Sequence, residues 1–129
     1  MREVGGDRIE LRGLRALGTH GALPEERGRP QPFEVDLDLS VDLHAAGLSD
    51  DLADTVDYGA VAAAAVAVVE GPHAELIEKL AERVARAVLG AGGGRVTEAT
   101  VTVRKLRPPV PADLRSAAVR VTRRAETPR

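Results

Sequence analysis

The chain has 129 residues, a formal net charge of −2 and no cysteine, and its only phenyl or phenol side chains are Phe33 and Tyr58. That length suits one domain over residues 1–129, the missing cysteines exclude disulfides, thiolate ligands and cysteine nucleophiles, and the interleaved charges give no basic face of the kind that neutralises nucleic-acid phosphates. With no signal-like start and no apolar run near the roughly 18 residues of a membrane span, the expectation is a cytoplasmic protein with neither nucleic-acid nor membrane partners.

Residues 1–6 and 125–129 read as flexible ends. Residues 7–17 open with Ile9 and Leu11 alternating against charges, a strand signal. From Phe33 to Leu43 the alternation is complete, with Val35, Leu37, Leu39 and Val41 set against Glu34, Asp36, Asp38, Ser40 and Asp42. Successive strand side chains point to opposite faces, so this segment has one apolar face and one acidic, wet face, as in an antiparallel sheet covered on one side. Between these strands GTHGALPEERGRPQP, residues 18–32, outruns an ordinary hairpin loop and marks a candidate site wall.

Residues 44–57 are acidic and turn-like, with Thr55 or Asp57 placed to cap a helix from about Tyr58 to Glu70. That helix is apolar nearly all round, which predicts burial within the protomer or between subunits. Gly71-Pro72 breaks it. A second helix, about Ala74 to Leu89, carries Leu76, Ile77, Leu80, Ala81, Val84, Ala87 and Val88 in one stripe. Glu75–Lys79 and Glu82–Arg86 are its expected outward ion pairs. GAGGG at 90–94 supplies left-handed cap residues; following a helix, these glycines do not form a phosphate loop. Strands at Val96–Lys105 and Ala117–Arg123 flank the proline-stiffened LRPPVPADLRS. The order β-β-α-α-β-β, with long hairpins and helices on one face, makes an α+β domain. Its core of Ala, Val and Leu fills little volume, which favours subunits completing one another's packing.

Four polar residues stand out. Glu26, in the long loop, is either a solvated carboxylate or part of a site. Tyr58 either plugs packing at its helix start or offers its hydroxyl to chemistry. Glu78 borders the apolar stripe beside Ala81, Ala85 and Leu89 and is either a plain surface glutamate, which the pattern favours, or a partly desolvated carboxylate that would want a bidentate donor. Lys105 continues the row of Ala99, Val101 and Val103, and either snorkels to solvent or enters a pocket, where burial suits a lysine to proton transfer. His20, His44 and His73 lack zinc-ligand spacing, and His20 reads as a loop-packing residue.

Together these segments resemble dihydroneopterin aldolase, the folate-pathway lyase. The resemblance rests on DRIELRGL at 7–14, GTHGALPEERGRPQPF at 18–33, SDDLADTVDYG at 49–59, LIEKLAERVA at 76–85 and TVRKLRPPVP at 102–111, in order and correctly spaced. It implies the tunnelling fold, an antiparallel four-stranded sheet with two helices on one face. Four subunits close into a ring and two rings often stack into an octamer, with active sites between subunits. It further implies a small-molecule pterin substrate, no cofactor and no metal. Lys105, Tyr58 and Glu26 become catalytic candidates, and Glu78, Ile77, Val56 and Thr55 substrate-binding ones. Leu106 departs from the family, which often has proline after the lysine, and Thr19 and Asp57 fall at positions that vary. The implied reaction is retro-aldol cleavage of 7,8-dihydroneopterin, whose own ring imine accepts the electrons. Two alternatives stand beside it. One is an epimerase of dihydroneopterin or its triphosphate, with Arg27, Arg29 and Arg107 as a basic cluster. The other is a non-catalytic pterin-binding ring.

Overall fold

The alternating segment that follows the long loop builds a central strand. In the computed structural model, which describes residues 6–126, β2 (Gln31–Ser40) buries every second side chain from Gln31 to Leu39. It pairs antiparallel with β1 (Arg8–Gly18) on one side and β3 (Glu98–Lys105) on the other. β4 (Ala117–Arg124) pairs antiparallel with β3, so the sheet order follows the chain, β1-β2-β3-β4. Residues 1–5 and 127–129 of the expected flexible ends lie outside the described residues. Ala125 is not loose: its amide donates to the Thr97 carbonyl at 2.9 Å, extending the β3–β4 ladder.

The apolar residues of β1, at 9, 11, 14 and 16, do not keep one parity. A bulge between Leu11 and Leu14 absorbs the extra residue, with Leu11 opposite Leu37 and Leu14 opposite Val35. Gly13 takes φ +69° there and its amide donates to Asp36 Oδ1 at 2.8 Å, so the strand changes which alternate residues face the core. On the opposite face the acidic row of β2 is neutralised across strands. Arg12 pairs with Asp38 (2.7 Å), Arg104 with Asp36 (2.6 Å), and both Arg15 (3.2 Å) and Arg104 (3.3 Å) with Glu34.

The helices cover the other face. Residues 44–57 hold more order than their turn-like composition predicts: a short helix, α1 (His44–Ser49), and a 3₁₀ turn at Leu52–Asp54. α2 (Tyr58–Val69) is capped by Asp57, not Thr55; Asp57 Oδ1 accepts from the Gly59 amide at 3.0 Å and the Ala60 amide at 3.3 Å. Within the protomer α2 buries only Val61, Ala65 and Val69, and Ala60, Ala63 and Ala67 are exposed. α3 (Ile77–Ala91) starts three residues later than its apolar stripe predicts and buries Leu80, Ala81, Val84, Ala85 and Val88. Because Glu75 precedes the helix, it pairs with Arg27 (2.8 Å) and not Lys79, while Glu82–Arg86 forms at 3.0 Å as expected. Gly93 and Gly94 take the positive φ values that end the helix. α2 packs over β1 and α3 over β3 and β4. Arg95, just past α3, donates to the Ala53 and Asp54 carbonyls at 2.8 and 3.2 Å, just before α2, so the two helices run antiparallel.

Candidate active site

The row Ala99, Val101, Val103 brings Lys105 to the end of β3 on the core side, opposite Phe33. Only 8% of Lys105 is exposed, so it enters the protein instead of snorkelling. Its partner is Glu26, whose loop folds back through a 3₁₀ turn at Pro24–Glu26 and leaves the residue 5% exposed. The solvated alternative for Glu26 is thereby excluded. Lys105 Nζ donates to Glu26 Oε2 at 2.5 Å. Gln31, at the start of β2, donates its amide to the same oxygen at 3.0 Å, and the Leu23 amide donates to Oε1 at 3.2 Å. Burial pushes the Glu26 carboxyl up, but the bonds from Lys105, Gln31 and Leu23 outweigh it and hold the group below the ordinary 4.5. Gln31 was not among the residues singled out in the sequence; a polar residue standing at an inward position of an otherwise apolar alternation was the available signal.

The loop that carries Glu26 is pinned through its glycines and His20. A Cβ at Gly21 would fall inside the Glu26 carboxylate, and one at Gly18 would lie 2.5 Å from the Val69 carbonyl oxygen and 2.6 Å from the His20 ring. His20 is fully buried, edge-on to Phe33 with ring centres 5.4 Å apart, as its loop-packing assignment predicts. His73 Nδ1 donates to the Thr19 carbonyl at 2.5 Å, leaving its buried Nε2 without a partner among the described residues.

The remaining candidates divide by position. Ile77, half-buried against the core, and Glu78, exposed as the surface reading of its pattern has it, form the first turn of α3. The chain leading to that turn is hydrogen-bonded to the Glu26 loop, the Gly21 amide donating to the Ala74 carbonyl at 3.0 Å. Thr55, Val56 and Tyr58 stand at the other end of α2, beside Ala53 and Arg95. Val56 is buried, whereas Tyr58 is 62% exposed and plugs nothing in its own protomer. A 12-residue helix measures about 18 Å at roughly 1.5 Å per residue, so one protomer brings Glu26, Lys105, Ile77 and Glu78 to one end and Thr55, Val56 and Tyr58 to the other. Among the described residues no group of His, Cys, Asp or Glu converges as a metal-ion set, and no helix is long and apolar enough to cross a membrane.

Residues 9–122 match the dihydroneopterin aldolase family. The chain is 45% identical to the dihydroneopterin aldolase of Streptomyces coelicolor over 117 residues, covering 91% of this chain and 97% of that one. It is 39% identical to the dihydroneopterin aldolase of Bacillus subtilis over 118 residues, covering 92% and 98%. The crystal structure of Escherichia coli dihydroneopterin aldolase in complex with neopterin superposes with a TM-score of 0.81 at 27% identity, over 91% of this chain and 98% of that one.

Proposed function

The chain belongs to the dihydroneopterin aldolase family, and from that membership we infer its reaction: it is a lyase that cleaves 7,8-dihydroneopterin by a retro-aldol step. The products are 6-hydroxymethyl-7,8-dihydropterin and glycolaldehyde, in cytoplasmic folate biosynthesis. The buried Glu26–Lys105 pair supports the chemistry most directly, because it sets a proton donor beside an acceptor where little water reaches.

In the mechanism we propose, the pterin lies with its amino group and ring N–H against the Glu78 carboxylate, which accepts two parallel bonds. Backbone groups of Val56 and Ile77 complete that edge, with Thr55 beside them. The side-chain 2′-hydroxyl loses its proton as the C1′–C2′ bond breaks, which releases glycolaldehyde. The bonding pair moves into the ring imine and N5 takes up a proton. Lys105, through an ordered water, exchanges protons with the hydroxyl and with N5, and Glu26 orients both hydroxyls and that water. Tyr58 then delivers a proton to C1′, the carbon of the hydroxymethyl product, while N5 gives its proton back. The substrate's own imine is the electron sink, so no step calls for a Schiff base or a metal.

This scheme needs both groups of residues at one site. Thr55, Val56 and Tyr58 therefore come from an adjoining subunit of a tetrameric ring or a stacked octamer, closed through the outer edges of β1 and β4. Incubating the protein anaerobically with 7,8-dihydroneopterin and excess chelator, then resolving the products, tests the assignment. Release of glycolaldehyde with the hydroxymethyl pterin is the expected result. An epimerised but intact pterin, or bound pterin without turnover, would replace the aldolase with the isomerase or the binding ring.

A further inference from the structure

We propose that His20 is a positioning residue that sets the spacing between the Glu26–Lys105 pair and the first turn of α3, where Ile77 and Glu78 stand. The proposal rests on the site described above and adds to it a residue that touches neither substrate nor reacting atoms.

The hydrogen bonds of His20 run in both directions. Its Nε2 lies 2.6 Å from the Val69 carbonyl oxygen at the end of α2, and its Nδ1 lies 3.0 Å from the Ala74 amide nitrogen on the approach to α3. The Ala74 N–H can only donate, so Nδ1 is an acceptor; the Val69 carbonyl can only accept, so Nε2 carries the hydrogen. Geometry alone thus fixes a neutral imidazole in the Nε2–H form. The backbone of the same residue reaches the other way. The His20 carbonyl accepts from Gln31 Nε2 at 3.4 Å, and that amide also bonds Glu26 Oε2 at 3.0 Å. Next in the chain, Gly21 donates its amide to the Ala74 carbonyl at 3.0 Å. Residues 20–21 and Ala74 therefore clasp each other twice, once through a side chain and once through the backbone.

The two glycines of the loop serve this clasp. Gly18 leaves the slot in which the His20 ring lies, and Gly21 leaves the seat for the Glu26 carboxylate. An apolar ring or chain could fill the same volume beside Phe33. It would leave the Ala74 N–H and the Val69 carbonyl unpaired in a buried place, and the approach to α3 would shift to find other partners. Small displacements of reacting groups cost rate steeply, so the effect belongs in turnover more than in pterin affinity, which Glu78 governs.

His20→Leu and His20→Asn test this. Asparagine places Oδ1 where Nδ1 stands and can still accept from Ala74, whereas leucine fills space without accepting. His20→Leu should lose about ten- to a hundred-fold in kcat while its pterin dissociation constant stays within about three-fold, and His20→Asn should recover most of the loss. Independently of turnover, imidazole ¹⁵N shifts should show the Nε2–H form, and amide exchange at Ala74 should be slow in the wild type and His20→Asn and fast in His20→Leu. Wild-type kcat in His20→Leu, an asparagine variant as slow as the leucine one, or an Nδ1–H ring would overturn the proposal. A wild-type protein that failed to cleave dihydroneopterin would sink the aldolase assignment instead, and the ring tautomer and Ala74 exchange would still decide for or against the clasp.

Discussion

Lys105 Nζ stands 2.5 Å from Glu26 Oε2, although 79 residues separate the two in the chain. Both are more than nine-tenths buried, and Gln31 and the Leu23 amide add one bond each, to Oε2 and to Oε1 of the carboxylate. Breaking such a pair from one side strands a charge, at about 3–5 kcal/mol, whereas replacing both partners removes the charge altogether. Lys105→Met and Glu26→Gln singly should each lower the unfolding midpoint, and the double variant should be less destabilised than the sum of the two. In turnover, Lys105→Ala should cost roughly 10²–10⁴-fold in kcat, the range for losing a positioned acid–base group, with pterin binding retained. Near-normal turnover in Lys105→Ala would remove the lysine from the chemistry.

Stability should fall in steps as pH drops. Burial pushes the His20 imidazole below its ordinary 6.5 against the Val69 carbonyl, and the neighbouring His73, Arg83 and Lys105 push the same way. Glu26 is held below 4.5, and Asp36, where the Gly13 amide and Arg104 outweigh burial, below 3.8. In each case the folded group binds its proton later than the unfolded one. The unfolded state therefore gains protons first, and the stabilisation, complete above the unfolded value, is lost as pH falls through the folded one. Urea midpoints taken from about pH 8 down to about pH 4 should begin to decline near the ordinary histidine value and steepen in the carboxylate range. His20→Asn should lack the first decline; if it declines just as the wild type does, the early loss has another source.

Gly21→Ala should damage the site with little change elsewhere in the fold. The added methyl falls on the Glu26 carboxylate, and Gly21 also holds φ +155°. The carboxylate must move away from Lys105 and Gln31, so activity should fall as far as in Glu26→Gln. Circular dichroism should remain unchanged, because Gly21 lies outside every helix and strand. Full activity in Gly21→Ala would mean that the carboxylate position is not what matters.

The fold was legible where one pattern dominated. Strict alternation from Phe33 gave β2 and its acidic face, and the stripe of Leu80, Val84 and Val88 gave α3. Lys105 was placed correctly because parity along a strand is a local property. The Leu11–Leu14 bulge was not foreseen, because a single added residue looks like noise until the partner strand fixes the register. The Glu26–Lys105 pair joins residues far apart in the chain, which no local pattern encodes; the resemblance to a family named both residues but not their pairing. Glu78 stood between a partly desolvated carboxylate and a plain surface glutamate, because its place at the edge of the stripe is angularly ambiguous. Starting at Ile77, the helix puts Glu78 in its first turn, where it is exposed.

The division of candidates between two ends of the protomer gives the last prediction. Glu26 and Lys105 lie beside the end of α2, and Tyr58 lies at its start, 62% exposed. If a site takes its lysine from one subunit and its tyrosine from the next, two inactive variants can repair each other. Lys105→Ala and Tyr58→Phe should each be nearly inactive alone. Unfolded together in equal amounts and refolded, they should form mixed rings in which one site in about four has both wild-type residues, given head-to-tail contacts and random mixing. Activity should then recover to about a quarter of the wild-type level. Mixed oligomers with no recovery would mean that lysine and tyrosine serve one site from the same chain, which an α2 helix of this length does not permit without rearrangement. Recovery would identify the adjoining subunit as the source of Tyr58.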